Sequence, residues 1–410
     1  MRRLGLPLVM VCAAAVVSAQ QPPTPTPTPQ QPRVIRSTID IVSSDVVVRD
    51  SKGQFIPGLT EKDFAVYEDG VLQQIIAFSA SLGGRIVAEM SPPPEVPAPE
   101  GIVLPRNSRT PSSPGRIFII FIDDLHLQGS DTPMVQRVLR LVRDNLLHEE
   151  DLTGLVSSGY SSIAFDVGPD PQHRRFNAAI EKVMGAAKPY HEIINGAQTI
   201  DGPSGLKANA FTAFRVSWEI LEQLEKVSNR RKAFIYVSSG YDFNPLTDSR
   251  FKAYMDLYAQ PPDPEGRPPI NVFERGHQQF SDSDLNMALG ELVRRAVRAN
   301  VTFYTIDPRG LVGGPPADVQ LTNDEWTRFV NTSVSSLELI AAETGGFPVT
   351  RTNGFEQAIQ KIDNDMSDYY MVGYQSSNPD PMKIRRRIEI KVKRPGATVT
   401  TTKKLYMIKK

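Results

Sequence analysis

Cysteine is all but missing: 410 residues contain one, Cys12. A disulfide framework is therefore excluded, and stability must come from the core. Net charge is missing as well. Lys plus Arg and Asp plus Glu both number 46, so there is no polyanion-binding footprint and a dedicated nucleic-acid binder is not expected. Long apolar runs are absent: the longest, Leu4 to Val17, has 14 residues, short of the roughly 20 needed to span a membrane. His148, His173, His191 and His277 stand singly, with no His-x-x-x-His pair and no Gly-x-Ser-x-Gly elbow. Ser249-Arg250-Phe251-Lys252 matches Ser-x-x-Lys only formally, since its companion motifs are lacking. What is present is 40% hydrophobic and 22% charged residues, the composition of two to three globular folding units.

Arg2 and Arg3 precede the apolar run, and Val17-Ser18-Ala19 supplies small residues at a cleavage site. This order predicts a cleavable signal peptide over residues 1–19 and a secreted or periplasmic product. Val11 before Cys12 makes a poor lipid-anchor signal. Cleavage leaves a chain without cysteine, with charge −2 and without a transmembrane segment.

Residues 20–33 alternate Pro, Thr and Gln, a spacer composition favouring extended backbone. Residues 34–80 read as a small β module, with a turn at Asp50-Ser51-Lys52-Gly53 and a hairpin signal at Glu68-Asp69-Gly70. A Pro-rich linker within residues 81–114, densest from Ser91, marks a boundary. From 115 to 375, strand and helix patterns alternate as in a mostly parallel, doubly wound α/β sheet of Rossmann-like form. Strands are expected at Arg116–Ile122, Leu152–Ser157, Ile163–Val167, Ala233–Ser238, Val301–Ile306 and Tyr369–Tyr374. Helices are expected from Asp131, over Arg175–Met184 and Lys207–Val227, around Leu285–Ala296, and at Leu337–Glu343 and Phe355–Met366. A loop of about forty residues carrying Pro261-Pro262-Asp263-Pro264 follows the fourth strand. Residues 376–410 return to β and are expected to pair with residues 34–80 in a sandwich-like module, because two-stranded units are marginal alone.

In an open α/β sheet, ligands bind beyond the carboxyl ends of strands where strand order reverses. Asp123-Asp124-Leu125-His126 follows the first strand there and Ser238-Ser239-Gly240-Tyr241-Asp242 follows the fourth. Asp307-Pro308-Arg309-Gly310 closes the fifth with turn residues that shape the rim of the crevice.

The runs IFIIFIDD from Ile117, KAFIYVSSGYD from Lys232 and ANVTFYTIDPRG from Ala299 together resemble the von Willebrand factor type A fold. VVVRDSKGQFIPGLTEKDFAVYEDG from Val46, ETGGFPVTRTNGFEQAIQKI, DYYMVGY and RRIEIKVKRPG resemble its bacterial secreted, VWFA-related branch. That resemblance implies a metal-ion-dependent adhesion site. Such a site binds Mg²⁺ through Asp-x-Ser-x-Ser, a later Thr and an Asp after the fourth strand, and a partner's carboxylate completes the shell. Here the site is degenerate. Asp123 matches the first position, but Leu125 and Leu127 replace both serines, and Ser239 stands where Asp is implied, with Asp242 as a substitute. Thr199 and Thr212 both remain open as the threonine. The metal set implied is Asp123, Ser239 and Asp242; no cofactor is expected, and Mg²⁺ binds weakly at best because missing carboxylate charge lowers affinity for a hard ion.

The leading expectation is a secreted, non-enzymatic protein-binding protein, in adhesion or envelope interaction, whose partner meets Asp123, Asp124, His126, Ser239 and Asp242. The alternative is an extracytoplasmic metal-assisted hydrolase using Asp123, Asp124 and His126, and a third is a structural envelope component. On the bland reading, Asp123 accepts backbone N–H groups while Asp124 and His126 are solvated. Lys383, Arg385, Arg386, Arg387, Lys391, Lys393 and Arg394 alternate with Ile388, Ile390 and Val392, so the basic residues read as the wet face of a strand.

Overall fold

Between Ile117 and Ile122 every residue is apolar and every one is buried, as a strand covered on both faces requires. Phe118, Ile120 and Ile122 enter one core; Ile117, Ile119 and Phe121 enter another. The computed structural model describes residues 41–90, 116–199, 202–203, 205–227, 230–258, 264–266, 278–378, 380, 383, 385–401 and 405–407. The signal peptide, the spacer, the Pro-rich stretch from Ser91 and Pro261 to Asp263 lie outside the described residues.

Five strands come first: β1 (Ile41–Arg49), β2 (Phe64–Glu68), β3 (Val71–Gln73), β4 (Ile75–Leu82) and β5 (Arg85–Met90). The α/β part opens with β6 (Ile117–Ile122), α1 (Thr132–Asn145), β7 (Leu152–Ser157), β8 (Asp166–Pro169), α2 (Arg174–Lys182) and α3 (Tyr190–Asn195). A small pair, β9 (Gln198–Thr199) and β10 (Gly202–Pro203), leads to α4 (Leu206–Glu225), β11 (Lys232–Val237), α5 (Thr247–Tyr258), α6 (Gln278–Ala299) and β12 (Val301–Ile306). Then come α7 (Asn323–Glu343), β13 (Pro348–Val349), α8 (Phe355–Ser367) and the strands β14 (Tyr369–Gln375), β15 (Arg385–Val392), β16 (Thr398–Thr401) and β17 (Leu405–Met407).

The α/β sheet has the order β13-β12-β11-β6-β7-β8. Every pairing in it is parallel except that of β7 with β8. Helices α1, α2 and α8 cover one face, through Val138, Phe176 and Ile362 among others. Helices α4, α6 and α7 cover the other, through Phe214, Leu292 and Leu337. The fold is thus doubly wound α/β. The chain leaves β6 toward β7 and later returns to β11 on the opposite side, so strand order reverses between β6 and β11 and the loops after them diverge.

Two antiparallel sheets, β16-β1-β14-β4-β5 and β17-β15-β2-β3, form the small sandwich. Val46, Phe78, Tyr370 and Val372 from one face Phe64, Val66, Ile388 and Ile390 from the other. Within it β1 pairs with β14 and β16, and β2 pairs with β15. The β2–β3 hairpin turns through Asp69 (φ 50°) and Gly70 (φ 84°), the left-handed pair a tight hairpin needs.

Several expectations need correction. The third strand, read at Ile163–Val167, is Asp166–Pro169 and antiparallel, because the short link from β7 cannot hold a parallel crossover. The long loop after β11 contains α5, whose buried residue is Arg250; no apolar stripe announces it. Helix α7 begins at Asn323, well before Leu337. Tyr369–Tyr374, read with the α/β strands, is part of β14 and lies between β1 and β4 in the sandwich. Arg386 is not on a wet face. It points inward with Ile388 and Ile390 and meets the buried carboxylate of Glu68, while Arg387, Glu389 and Lys391 point outward.

Candidate functional site

Asp123 and Asp124 are the first residues beyond β6, and both are fully buried. The sheet ladder runs on past the strand ends, since Asp123 N donates to Val237 O and Ser158 N to Ile122 O. Asp123 therefore sits rigidly between β6 and β11. Its Oδ2 accepts the Tyr241 hydroxyl at 2.7 Å and the Ser238 hydroxyl at 2.8 Å, and its Oδ1 lies 2.9 Å from His126 Nδ1. Burial pushes the carboxyl up, but His126 and the two hydroxyls outweigh it and hold the group below the ordinary carboxylate value.

Asp124 turns the other way, toward the Ser158-Gly159-Tyr160-Ser161-Ser162 loop after β7. It accepts Ser158 Oγ at 2.7 Å, Gly159 N at 3.0 Å and Ser161 N. The bland reading is corrected here. Asp123 takes side-chain partners, Asp124 takes two backbone N–H groups and a hydroxyl, and Asp124 is buried while His126 is only partly exposed. The His126 ring packs edge-on against Tyr241, with centroids 4.7 Å apart.

Tyr241 is placed by its backbone: Gly240 turns with φ 85° and lies so close to α7 that an added Cβ would fall 2.0 Å from Ser333 O. Tyr241 N then donates to Ser336 Oγ at 2.9 Å. Its hydroxyl also meets that of Tyr236. Burial, and then the Asp123 charge, raise both phenols well above the ordinary value.

Ser239 donates its hydroxyl to the His126 carbonyl, and its own carbonyl accepts Arg309 Nη2 at 2.7 Å. Arg309 is held by Asp307 at 2.8 Å and 2.9 Å, so the rim residues after β12 reach into the site. Asp242 does not join Asp123. It accepts Asn244 N at 2.9 Å and lines a separate cavity of about 300 Å³ with Glu325, Arg328 and Phe329. Thr212 spends its hydroxyl on Ala208 O within α4, and Thr199 lies in β9. Leu127 is wholly inside the core, and Leu125 lies over Gly159.

The structure thus brings Asp123, His126 and Ser239 together, puts Asp124 in an adjoining cradle and separates Asp242. Among the described residues, no three of His, Cys, Asp or Glu gather to hold an ion. Ser158 and Ser161 were not read as site residues, and Ser238, Tyr241 and Arg309 lay in the runs read at the strand ends without a role of their own. The serine run after β7 and the Arg between Asp307-Pro308 and Gly310 were the available signals.

No protein-family model matches the chain, and no curated protein matches it. Solved structures that it resembles include the SpRpn10 VWA domain, at 13% identity and TM-score 0.24 over 60% of this chain and 93% of that one. Manganese-loaded Plasmodium vivax TRAP protein is 11% identical, TM-score 0.30, over 70% and 93%. The pilus adhesin SpaC from Lactobacillus rhamnosus GG is 10% identical, TM-score 0.32, over 72% of this chain and 39% of that one.

Proposed function

We propose that this chain is a secreted, non-enzymatic protein-binding protein, similar to the von Willebrand factor type A-related kind, that grips a protein partner with the loops at the carboxyl edge of its parallel sheet. One contrast carries the reading. The oxygens of Asp123 and Asp124 are taken by the chain's own donors, whereas Tyr160, Met184 and Leu311 in the surrounding loops are more than half exposed. Such a rim offers apolar contact of the kind protein partners bury, over a base that is already rigid. Cross-linking of the mature chain to native envelope extract tests this. Cross-links should map to the loops of Tyr160 and Leu311 and be lost in the Tyr160→Ala/Leu311→Ala double variant; undiminished cross-linking in that variant overturns it.

The hydrolase reading has one observation in its favour, the Asp123 carboxylate orienting His126 at 2.9 Å. Against it, Ser239 turns its hydroxyl to a carbonyl and Asp124 is consumed by the β7 loop. Turnover of ester, phosphoester or peptide substrates that disappears in His126→Ala would replace the binding reading.

A further inference from the structure

The type A resemblance implies a divalent ion at the carboxyl edge, and the donors present do not suit one. Leu125 and Leu127 offer no oxygen, and Leu127 cannot turn outward without emptying its place in the core. Asp123 already receives two hydroxyl hydrogens on Oδ2 and faces an imidazole nitrogen on Oδ1. The Ser239 hydroxyl is directed at a carbonyl, and Asp242 faces a different cavity. To bind an ion, the fully buried Asp123 carboxylate would have to surrender bonds and leave the buried Tyr241 hydroxyl with Tyr236 alone.

We infer that the chain performs the structural work of that ion with its own side chains: Tyr241, His126, Ser239 and Arg309 clamp the three loops after β6, β11 and β12 into one platform that no divalent cation controls. The path is continuous. From the β11 loop, the Tyr241 and Ser238 hydroxyls reach Asp123 on the β6 loop. From the β6 loop, the His126 carbonyl receives the Ser239 hydroxyl back from β11. From the β12 loop, Arg309 Nη2 donates to the Ser239 carbonyl while Nε and Nη2 donate to Asp307. An ion joins loops by collecting their oxygens. Here the planar fork of one guanidinium collects oxygens from two loops, and hydroxyls join the third. Burial works against the Arg309 charge, but Asp307 outweighs it and holds the guanidinium more firmly protonated than usual.

This goes beyond partner binding and makes a prediction a local bond would not: disturbing Arg309 is felt at the β6 loop amides around His126, which it reaches through Ser239, apart from its charge contact with Asp131 at the far end of that loop. Hydrogen exchange on the mature chain, in EDTA and in millimolar MgCl2 or MnCl2, tests it. Wild-type exchange should be the same in all three. Arg309→Gln should speed amide exchange between Asp124 and Leu127 by about tenfold or more while β6 keeps its protection, and Tyr241→Phe should act in the same direction. If Arg309→Gln does not fold, Arg309→Lys, which keeps charge but loses the fork, should give a smaller acceleration at the same amides. Slower wild-type exchange in Mg²⁺ or Mn²⁺, abolished by Asp123→Ala, would restore an ion site and overturn the clamp. An Arg309 effect confined to residues 307–311 would overturn it too. None of these measurements uses a partner, so failure of the binding reading would leave the clamp standing, and the reverse holds.

Discussion

The Arg386 guanidinium donates to the Glu68 carboxylate at 2.9 Å, with both side chains almost wholly inaccessible, across 318 positions of sequence. The Tyr374 hydroxyl and Ser376 Oγ donate to the same carboxylate at 2.8 Å and 2.6 Å. Removing one member of a buried pair leaves an uncompensated charge, so Arg386→Ala should lower unfolding free energy by about 3–5 kcal/mol. Urea denaturation measures this; a loss under about 1 kcal/mol would mean that water enters the pair.

Ending the chain at Tyr374 removes β15, β16 and β17, and with them one antiparallel partner of β2 and one of β1. Since a short sheet deprived of its facing layer is marginal in water, residues 41–82 should become sensitive to limited proteolysis. Equal protection in the truncated chain would show that this segment does not depend on the C-terminal strands.

Leu127 occupies one of the two serine positions of the type A pattern, yet it packs in the core beside α1. Leu127→Ser should therefore cost more than about 2 kcal/mol, as truncation of a buried leucine does. It should also fail to produce any rise in thermal midpoint with Mg²⁺. A stable, Mg²⁺-responsive variant would show that the loop can reorganise around an ion.

Burial lifts the Tyr190 phenol to about 12, with nearby Asp131 and Asp307 adding to the effect and Arg309 opposing it. A folded value above the unfolded one means that the contribution is fully present below about pH 10 and is lost as pH rises toward 12. Stability should fall across that alkaline window, and Tyr190→Phe should flatten the fall. An unchanged alkaline limb in that variant would assign it to the more deeply buried Tyr236, Tyr241 or Tyr304.

Export should end in cleavage after Ala19, given the charged start, the apolar run and the small residues in order. N-terminal sequencing of native material that begins at Met1 would contradict it.

Short-range pattern determined where most of the α/β elements begin and end. Ile117–Ile122 forms a strand where an unbroken apolar run places it, and Leu152–Ser157 and Val301–Ile306 form strands where β-branched and other apolar residues dominate, because a strand covered on both faces is built mainly from such residues. The Asp69-Gly70 turn was legible for a similar local reason, a backbone conformation that few residues accept. Helix α5 was not, since its one buried side chain is an arginine.

Tertiary structure alone decided what each element meets. The run Tyr369–Gln375 would read alike in either sheet; its pairing with β1 and β4 puts it in the sandwich. Arg386 looks like a surface charge until Glu68 arrives from the far end of the chain. Asp123 and Asp124 were visible at the end of the first strand, but their burial and their different donors depend on loops from Ser158–Ser161 and Ser238–Tyr241 converging there. Local sequence can state that a carboxylate stands at a strand end. Whether water or a hydroxyl satisfies it is set by segments distant in the chain, whose approach the whole sheet order determines.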